Sequence, residues 1–269
     1  MLYILILLVL LIFVLSYKYA WWKPKISWNQ PRILMYHMVR NHIDGAKFNK
    51  LRVKPAEFEK QIAWMKSQGF HFVTMQELQN GWGEHPAKTI AITFDDGYLD
   101  NLQNAYPILE KYQAKATVYV VVDRHDRDWS TYKKEHHNSG ELMREAKLND
   151  AQVKQLADSG LIEIGSHTLT HANLNNLSDA DCLRELTDSK QQLEQLICKP
   201  VTSFAYPFGI YSDRDVKLVK QSGYSNAVTT VEGIEGEQPD FFQLQRIKIS
   251  GKDSLFAVKL RLKLGKREG

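Results

Sequence analysis

Cysteine is nearly absent from this 269-residue chain, which carries only Cys182 and Cys198. They stand sixteen positions apart across a helical pattern. A continuous helix would separate them by roughly 24 Å, far beyond disulfide reach. They read as free thiols packed in or near the core, and a disulfide-stapled scaffold is excluded. Charge of one sign is also scarce: 35 basic against 31 acidic residues leave a formal net charge of +4. That balance gives no electrostatic footprint for nucleic acid. From Pro31 onward there is no Gly/Ser linker, no repeat and no low-complexity segment, so one domain is expected. No glycine-rich phosphate loop follows any strand-like run, which argues against a nucleotide-binding doubly wound sheet. What the chain does have is apolar content, 43% of its residues, enough for one large core.

The first fifteen residues, "MLYILILLVLLIFVL", are unbroken apolar, and "SYKYAWWKPK" follows. Counted through Trp22, the run approaches the roughly 20 residues of a bilayer-spanning helix, with Lys18 free to snorkel. Tyr17, Tyr19, Trp21 and Trp22 suit an interfacial aromatic belt. The alternative is a cleaved signal peptide, but no Lys or Arg precedes the run and no A-x-A site follows it. The reading is a single-pass anchor over 1–22, a juxtamembrane linker over 23–30, one folded domain over 31–250 and a basic tail over 251–269. Lys18, Lys23, Lys25 and Arg32 all follow the helix, so the positive-inside rule puts the domain in the cytoplasm. The tail "KLRLKLGKR" either lies against anionic lipid or forms a last strand or helix with a solvated charged face.

Short apolar runs recur along the domain: "RILMYHMV", "FHFVTM", "TIAITF", "ATVYVVV", "LIEIGSH", "SFAYPF", "NAVTT" and "QRIKIS". Amphipathic helical patterns lie between most of them, at Pro55–Gln68, Asn101–Tyr112, Asp150–Ser159 and Asp179–Leu196. Ser178 is a cap, and Gly69, Gly160 and Gly223 are stops. Seven or eight alternating units predict an α/β fold with a closed parallel barrel, an open doubly wound sheet being the alternative. The unusual polar residues end these runs: His37 the first, Asp95 and Asp96 the third, His167 the fifth, Tyr206 and Pro207 the sixth. In a parallel barrel the C-terminal strand ends converge on one mouth, where active sites form.

Two adjacent carboxylates repel unless a cation offsets the cost. "SHTLTH" offers His167 and His171 at i and i+4, which on a helical turn puts both imidazoles on one side. Two histidines and one carboxylate make a three-ligand set with open positions for a divalent metal. Asp96 can be that carboxylate, leaving Asp95 beside it as a general base. His37 alone is equally a catalytic group or a hydrogen-bonded structural one. His125, His136 and His137 fall in a polar loop and are set aside.

"TFDDGY", "SHTLTH" and "FAYPFG", in that order, resemble the first three motifs of the NodB-homology polysaccharide deacetylases, carbohydrate esterase family 4. The resemblance covers roughly residues 33–250. It implies a distorted (β/α)7 barrel and metal-dependent hydrolysis of N- or O-acetyl groups on sugars, with Zn2+ foremost and Co2+ or Ni2+ as alternatives. It makes Asp95 the base, and Asp96, His167 and His171 the metal ligands. Thr168 would steady the loop, and the Tyr206 N–H, beside Pro207, would help bind the developing oxyanion. Two departures stand out. Ala205 occupies the place of the usual base-orienting arginine, for which Arg246 is the candidate replacement, a surface position being the alternative. No late L-x-H segment supplies an acid, whereas "LMYHMV" and "FAYPFG" resemble the poly-N-acetylglucosamine deacetylase subgroup and make His37 the acid.

The implied protein is a monomeric, plasma-membrane deacetylase of N-acetylhexosamine glycans that binds no nucleic acid. The family's habit is extracytoplasmic, against the flanking charges. A polyprenyl-phosphate-linked sugar is the alternative substrate, and a non-catalytic carbohydrate-binding protein on the same fold the alternative class.

Overall fold

The computed structural model describes residues 2–19, 25–127, 129 and 140–265. Trp21, Trp22, His136, His137 and the last four residues therefore lie outside the described residues. The domain begins with β1 (Arg32–Tyr36), a short β2 (Met38–Val39), β3 (Arg52–Val53), α2 (Pro55–Ser67), β4 (His71–Val73), α3 (Met75–Asn80) and β5 (Thr89–Phe94). A π-helical turn at Asn101–Ala105 runs into α4 (Tyr106–Tyr112), followed by β6 (Ala116–Val120), α5 (Asp150–Asp158) and β7 (Ile162–Ser166). Then come α6 (Asp179–Ile197), β8 (Ser203–Ala205), α7 (Asp213–Gln221), β9 (Asn226–Glu232), β10 (Leu244–Lys248) and α8 (Leu255–Leu264).

All the barrel pairings are parallel. β1 pairs with β10 on one side and with β5 on the other, so the sheet closes through β5, β6, β7, β8, β9 and β10 into a seven-stranded barrel. The second apolar run, "FHFVTM", is not a stave: β4 pairs only with the first half of β5, at Thr89–Ala91, and β6 takes over from Ile92. The staves read as near-continuous apolar runs because both their faces are covered, the outer by helices and the inner by the barrel's own lining. Outward-facing Leu34, Tyr36, Ile90, Ile92, Phe94 and Ile164 join the helix-facing core. Inward-facing Ile33, Ala91, Tyr119, Ala205, Val228 and Leu244 pack with Met75 and Leu78 of α3.

The period-two alternation of a strand decides what reaches the mouth. Counting up from inward positions, 91 and 93 lead to Asp95, 163 and 165 to His167, 33 and 35 to His37, and 244 to Arg246. Gly165 is required on the inner face, since a Cβ there would stand 2.5 Å from the Tyr119 ring. The opposite end is closed by α3. Its first amides donate to the barrel lining, Met75 N–H to Thr117 Oγ1 at 2.9 Å and Gln76 N–H to Glu163 Oε2 at 2.9 Å.

The floor also holds both ends of the domain. Ile26 N–H donates to Lys263 O at 3.0 Å, and the buried Arg32 guanidinium donates to Leu262 O at 2.9 Å and Ile26 O at 3.0 Å. Residues 25–30, read as linker, are thus packed against the barrel. Residues 255–264 form the last helix rather than a tail, with Val258 and Leu262 fully buried. Both thiols are free, but only Cys182 is in the core; Cys198 sits exposed at the α6 C-cap.

Preceding all this is α1 (Leu2–Tyr19), whose apolar side chains from Tyr3 to Leu10 and from Ile12 to Leu15 are exposed. Among the described residues no helix is long and apolar enough to cross a membrane. Eighteen residues span roughly 27 Å, just under the ~30 Å of a hydrocarbon core, and the last part of the expected anchor, 20–22, lies outside the described residues.

Candidate active site

Asp95 and Asp96 share a strand end but not an environment. Asp95 continues the inward register of β5, and its main-chain N–H donates to Tyr36 O at 3.0 Å. At Asp96 the backbone turns left-handed, φ 78°, followed by Gly97 at φ 69°, which swings the second carboxylate sideways toward β7. The doublet is therefore split by one backbone torsion.

Asp96 Oδ1 lies 3.4 Å from His167 Nε2 and 3.4 Å from His171 Nε2. One ligand atom from each of the three falls within 4.8 Å of the others, and all three residues are buried. "SHTLTH" does not form the helical turn that its spacing suggested. It is an irregular loop with left-handed Thr168 (φ 70°) and His171 (φ 60°), which fold His171 back onto His167 to a ring separation of 4.9 Å. The Thr168 hydroxyl accepts from Ala172 N–H at 3.3 Å, and Glu185 of α6 accepts from the Thr170 N–H and hydroxyl at 2.8 and 2.7 Å. His167 Nδ1 bonds Ala205 O at 2.7 Å, which assigns the ring proton to Nδ1 and turns the Nε2 lone pair to the cluster.

The donor set fits a divalent metal. Ligands about 2.1 Å from a tetrahedral ion are separated by about 3.4 Å, the spacing found from Asp96 to each histidine. Burial would raise the Asp96 carboxyl, but the His167 and His171 hydrogen bonds outweigh it and hold it well below the usual range. Burial lowers His171, against the pull of Asp96, and so favours the neutral imidazole that a metal requires.

Asp95 stands outside this cluster with a cation of its own. Arg246, fully buried and so not a surface residue, donates to Asp95 Oδ1 at 2.7 Å and Oδ2 at 2.8 Å. It is braced by Thr229 O at 2.7 Å and Thr93 Oγ1 at 3.0 Å. Burial pushes the Asp95 carboxyl up, and the Arg246 charge and hydrogen bonds overcome that and keep it below its ordinary value. Arg246 thus brings from β10, two strands along from Ala205 on β8, the cation that faces Asp95.

His37 ends β1 half-buried at the same mouth. Burial lowers its pKa, opposed by Asp96 and Asp95 and assisted by Arg246 and Lys248. The ring of His171 is walled by Phe208 at 4.4 Å and by Trp129 at 4.9 Å. Tyr98 packs against Trp129 at 6.0 Å; burial, then the Asp96 charge, raises its phenol. Neither Trp129 nor Phe208 was singled out by the sequence, because an aromatic residue in a loop carries no spacing signal.

Tyr206 needs a correction. Its main-chain N–H donates to Val228 O at 3.2 Å within the barrel, so it is not available to an oxyanion, and its phenol donates to Phe242 O at 3.0 Å. Pro207 has no N–H. The first main-chain donor beyond Tyr206 belongs to Phe208, whose left-handed backbone (φ 61°) sets its ring on His171.

Comparison with known proteins agrees with this geometry. The polysaccharide deacetylase family profile matches residues 83–227. The chain is 33% identical over 234 residues, 86% of its length and 75% of the relative's, to YxkH of Bacillus subtilis, a protein named as a polysaccharide deacetylase. It is 27% identical over 248 residues, 85% of its length and 81% of the relative's, to a poly-beta-1,6-N-acetyl-D-glucosamine N-deacetylase of Staphylococcus aureus. A polysaccharide deacetylase crystal structure from Bacillus cereus superposes with a TM-score of 0.74 at 29% identity, over 87% of this chain and 69% of that one. The Streptococcus pyogenes deacetylase PplD, solved with acetate, gives 0.73 at 27% identity over 87% and 98%. The chain belongs to the polysaccharide deacetylase family, and it is a carbohydrate deacetylase.

Proposed function

We propose that this protein is a membrane-anchored, metal-dependent deacetylase of N-acetylhexosamine residues in a polysaccharide or glycan precursor. The observation that carries the reading is the split doublet, with Asp96 facing two imidazole Nε2 atoms at 3.4 Å while Asp95 is gripped by Arg246. Asp96, His167 and His171 would hold the ion. When bound, a divalent cation, Zn2+ foremost with Co2+ or Ni2+ as alternatives, supplies Lewis acidity toward the acetyl carbonyl and lowers the pKa of water.

The chain's own residues do the rest. Asp95, ionised and oriented by the Arg246 fork, takes a proton from the attacking water. The Phe208 N–H supplies a main-chain donor for the negative oxygen that develops on the acetyl carbonyl. His37 gives a proton to the departing sugar nitrogen, which leaves poorly as an anion. Trp129 and Phe208 crowd the His171 ring and exclude water from it.

The exposed apolar side chains of α1 support the anchor, since a helix with such a surface has no reason to face water. The basic residues after it favour the cytoplasmic side of the plasma membrane. The poly-N-acetylglucosamine deacetylase among the relatives favours a polymer of N-acetylglucosamine as substrate. The test is acetate release from N-acetylglucosamine oligomers after chelation and after adding back zinc, cobalt or nickel. Release that stops with chelator and returns with metal supports the reading; release that persists through chelation removes it.

A further inference from the structure

His37 sits in the break between β1 and β2, so no continuous ladder holds its peptide groups. The partners it has come from an unexpected place, the segment immediately after the Asp95–Asp96 doublet. Asn101 Nδ2 donates to His37 O at 2.9 Å. Asn104 Nδ2 donates to Val39 O at 2.8 Å. Asp100 Oδ1 accepts from Val39 N–H at 2.9 Å and from Asn101 Nδ2 at 3.2 Å, which fixes the orientation of the Asn101 amide. Asn101 is 2% exposed and Asp100 8%. The π-helical turn at Asn101–Ala105 is what spreads these side chains along the strand segment rather than stacking them as in an α-helix.

We infer that Asn101, held by Asp100, and Asn104 are positioning residues that set the His37 imidazole against the base. They form a side-chain clamp that ties the acid's strand to the loop carrying Asp95 and Asp96. This rests on His37 acting as the acid. The acid and the base stand 58 positions apart in the chain, and a rigid link is needed because proton donation to nitrogen requires hydrogen-bond reach. The segment 98–105 thus does two jobs: it follows directly from the metal ligand and it braces the acid. No sequence motif marks it, because its targets are main-chain carbonyls.

The experiment compares two substrates whose leaving groups differ in their need for an acid. An N-acetylglucosamine oligomer must have its nitrogen protonated, whereas 4-nitrophenyl acetate leaves without help. In Asn101→Leu, near in shape but without a donor, kcat on the oligomer falls about 10- to 100-fold while KM and bound zinc hold. Turnover of the ester falls no more than about three-fold. Asn104→Ala, at a half-buried position, gives the same selective loss and carries the test should Asn101→Leu fail to fold. Equal loss on both substrates would make the clamp merely structural and overturn the inference. His37→Ala is run beside them: if it too loses both substrates equally, the acid assignment itself has failed and the clamp with it. If His37→Ala is selective and both asparagine variants are not, only the clamp has failed.

Discussion

A buried carboxylate needs a cation, and for Asp95 that cation is Arg246, fully buried in the barrel. Replacing Arg246 with Ala leaves a buried charge unpaired, which costs about 3–5 kcal/mol. It also lets burial raise the base. Arg246→Ala is expected to melt lower and to lose kcat by about 100-fold or more, with its zinc content intact because Arg246 touches none of the three ligands. Arg246→Lys keeps a charge but not the fork and should fall between the two. Asp100 gives a test by pH. Burial raises its carboxyl from the ordinary 3.8 to about 6. The folded state therefore binds more protons than the unfolded between those values, and this group's contribution to stability declines as pH rises through that window. Asp100→Asn keeps the acceptor for Val39 N–H and removes the penalty. Relative to the unaltered protein it should gain about 1–3 kcal/mol at pH 8 and nothing below pH 4, read from chemical denaturation at each pH.

At the scale of elements, loops do what the strands cannot. The strand runs and their period-two parity were legible from sequence, and parity alone sends Asp95, His167, His37 and Arg246 inward. The helical reading of "SHTLTH" was not sound, because nothing in i, i+4 spacing reports the left-handed torsions at Thr168 and His171. The Tyr206 amide failed for a related reason: whether an N–H is free depends on the register of β8 against β9, which sequence does not display. Arg246 was found only by elimination, as a cation missing from Ala205. Asn101 and Asn104 were invisible. The Phe208 loop offers its own test. A Cβ on Gly209 would lie 1.8 Å from Thr230 Oγ1, and its φ is 65°. Gly209→Ala must shift that turn and draw Phe208 off His171. The expected result is a kcat loss of about ten-fold or more on the N-acetyl substrate, with global stability lowered by about 1–3 kcal/mol. A Gly209→Ala enzyme with unchanged kcat would mean that the loop is not part of the site.

For the whole molecule, the closure of seven parallel strands puts the site at one end of the barrel and both domain termini at the other. Residues 25–30 are fastened beneath the floor, and five residues, 20–24, separate them from α1. Five residues reach at most about 18 Å, against roughly 45 Å across a domain of this size. An anchored protein would therefore hold its mouth away from the lipid, which favours a polymer arriving from solution over a sugar fixed close to the bilayer. With Cys198 changed to Ser, fluorophores on Ala87→Cys at the floor and on Val231→Cys near the mouth should respond differently in vesicles containing spin-labelled lipid. Quenching is expected at Ala87 and not at Val231; the reverse pattern would contradict this orientation, and a chain that fails to float with the vesicles would contradict the anchor.

The most direct test of the central claim is the zinc content and acetate release of Asp95→Asn and Asp96→Asn, measured side by side. The division of labour between the two carboxylates predicts that Asp95→Asn keeps about one zinc per chain while acetate release falls about 1,000-fold or more. Asp96→Asn is predicted to lose both together. An Asp95→Asn protein that gives up its zinc as readily as Asp96→Asn, or one that still turns over N-acetyl substrate, would contradict the account.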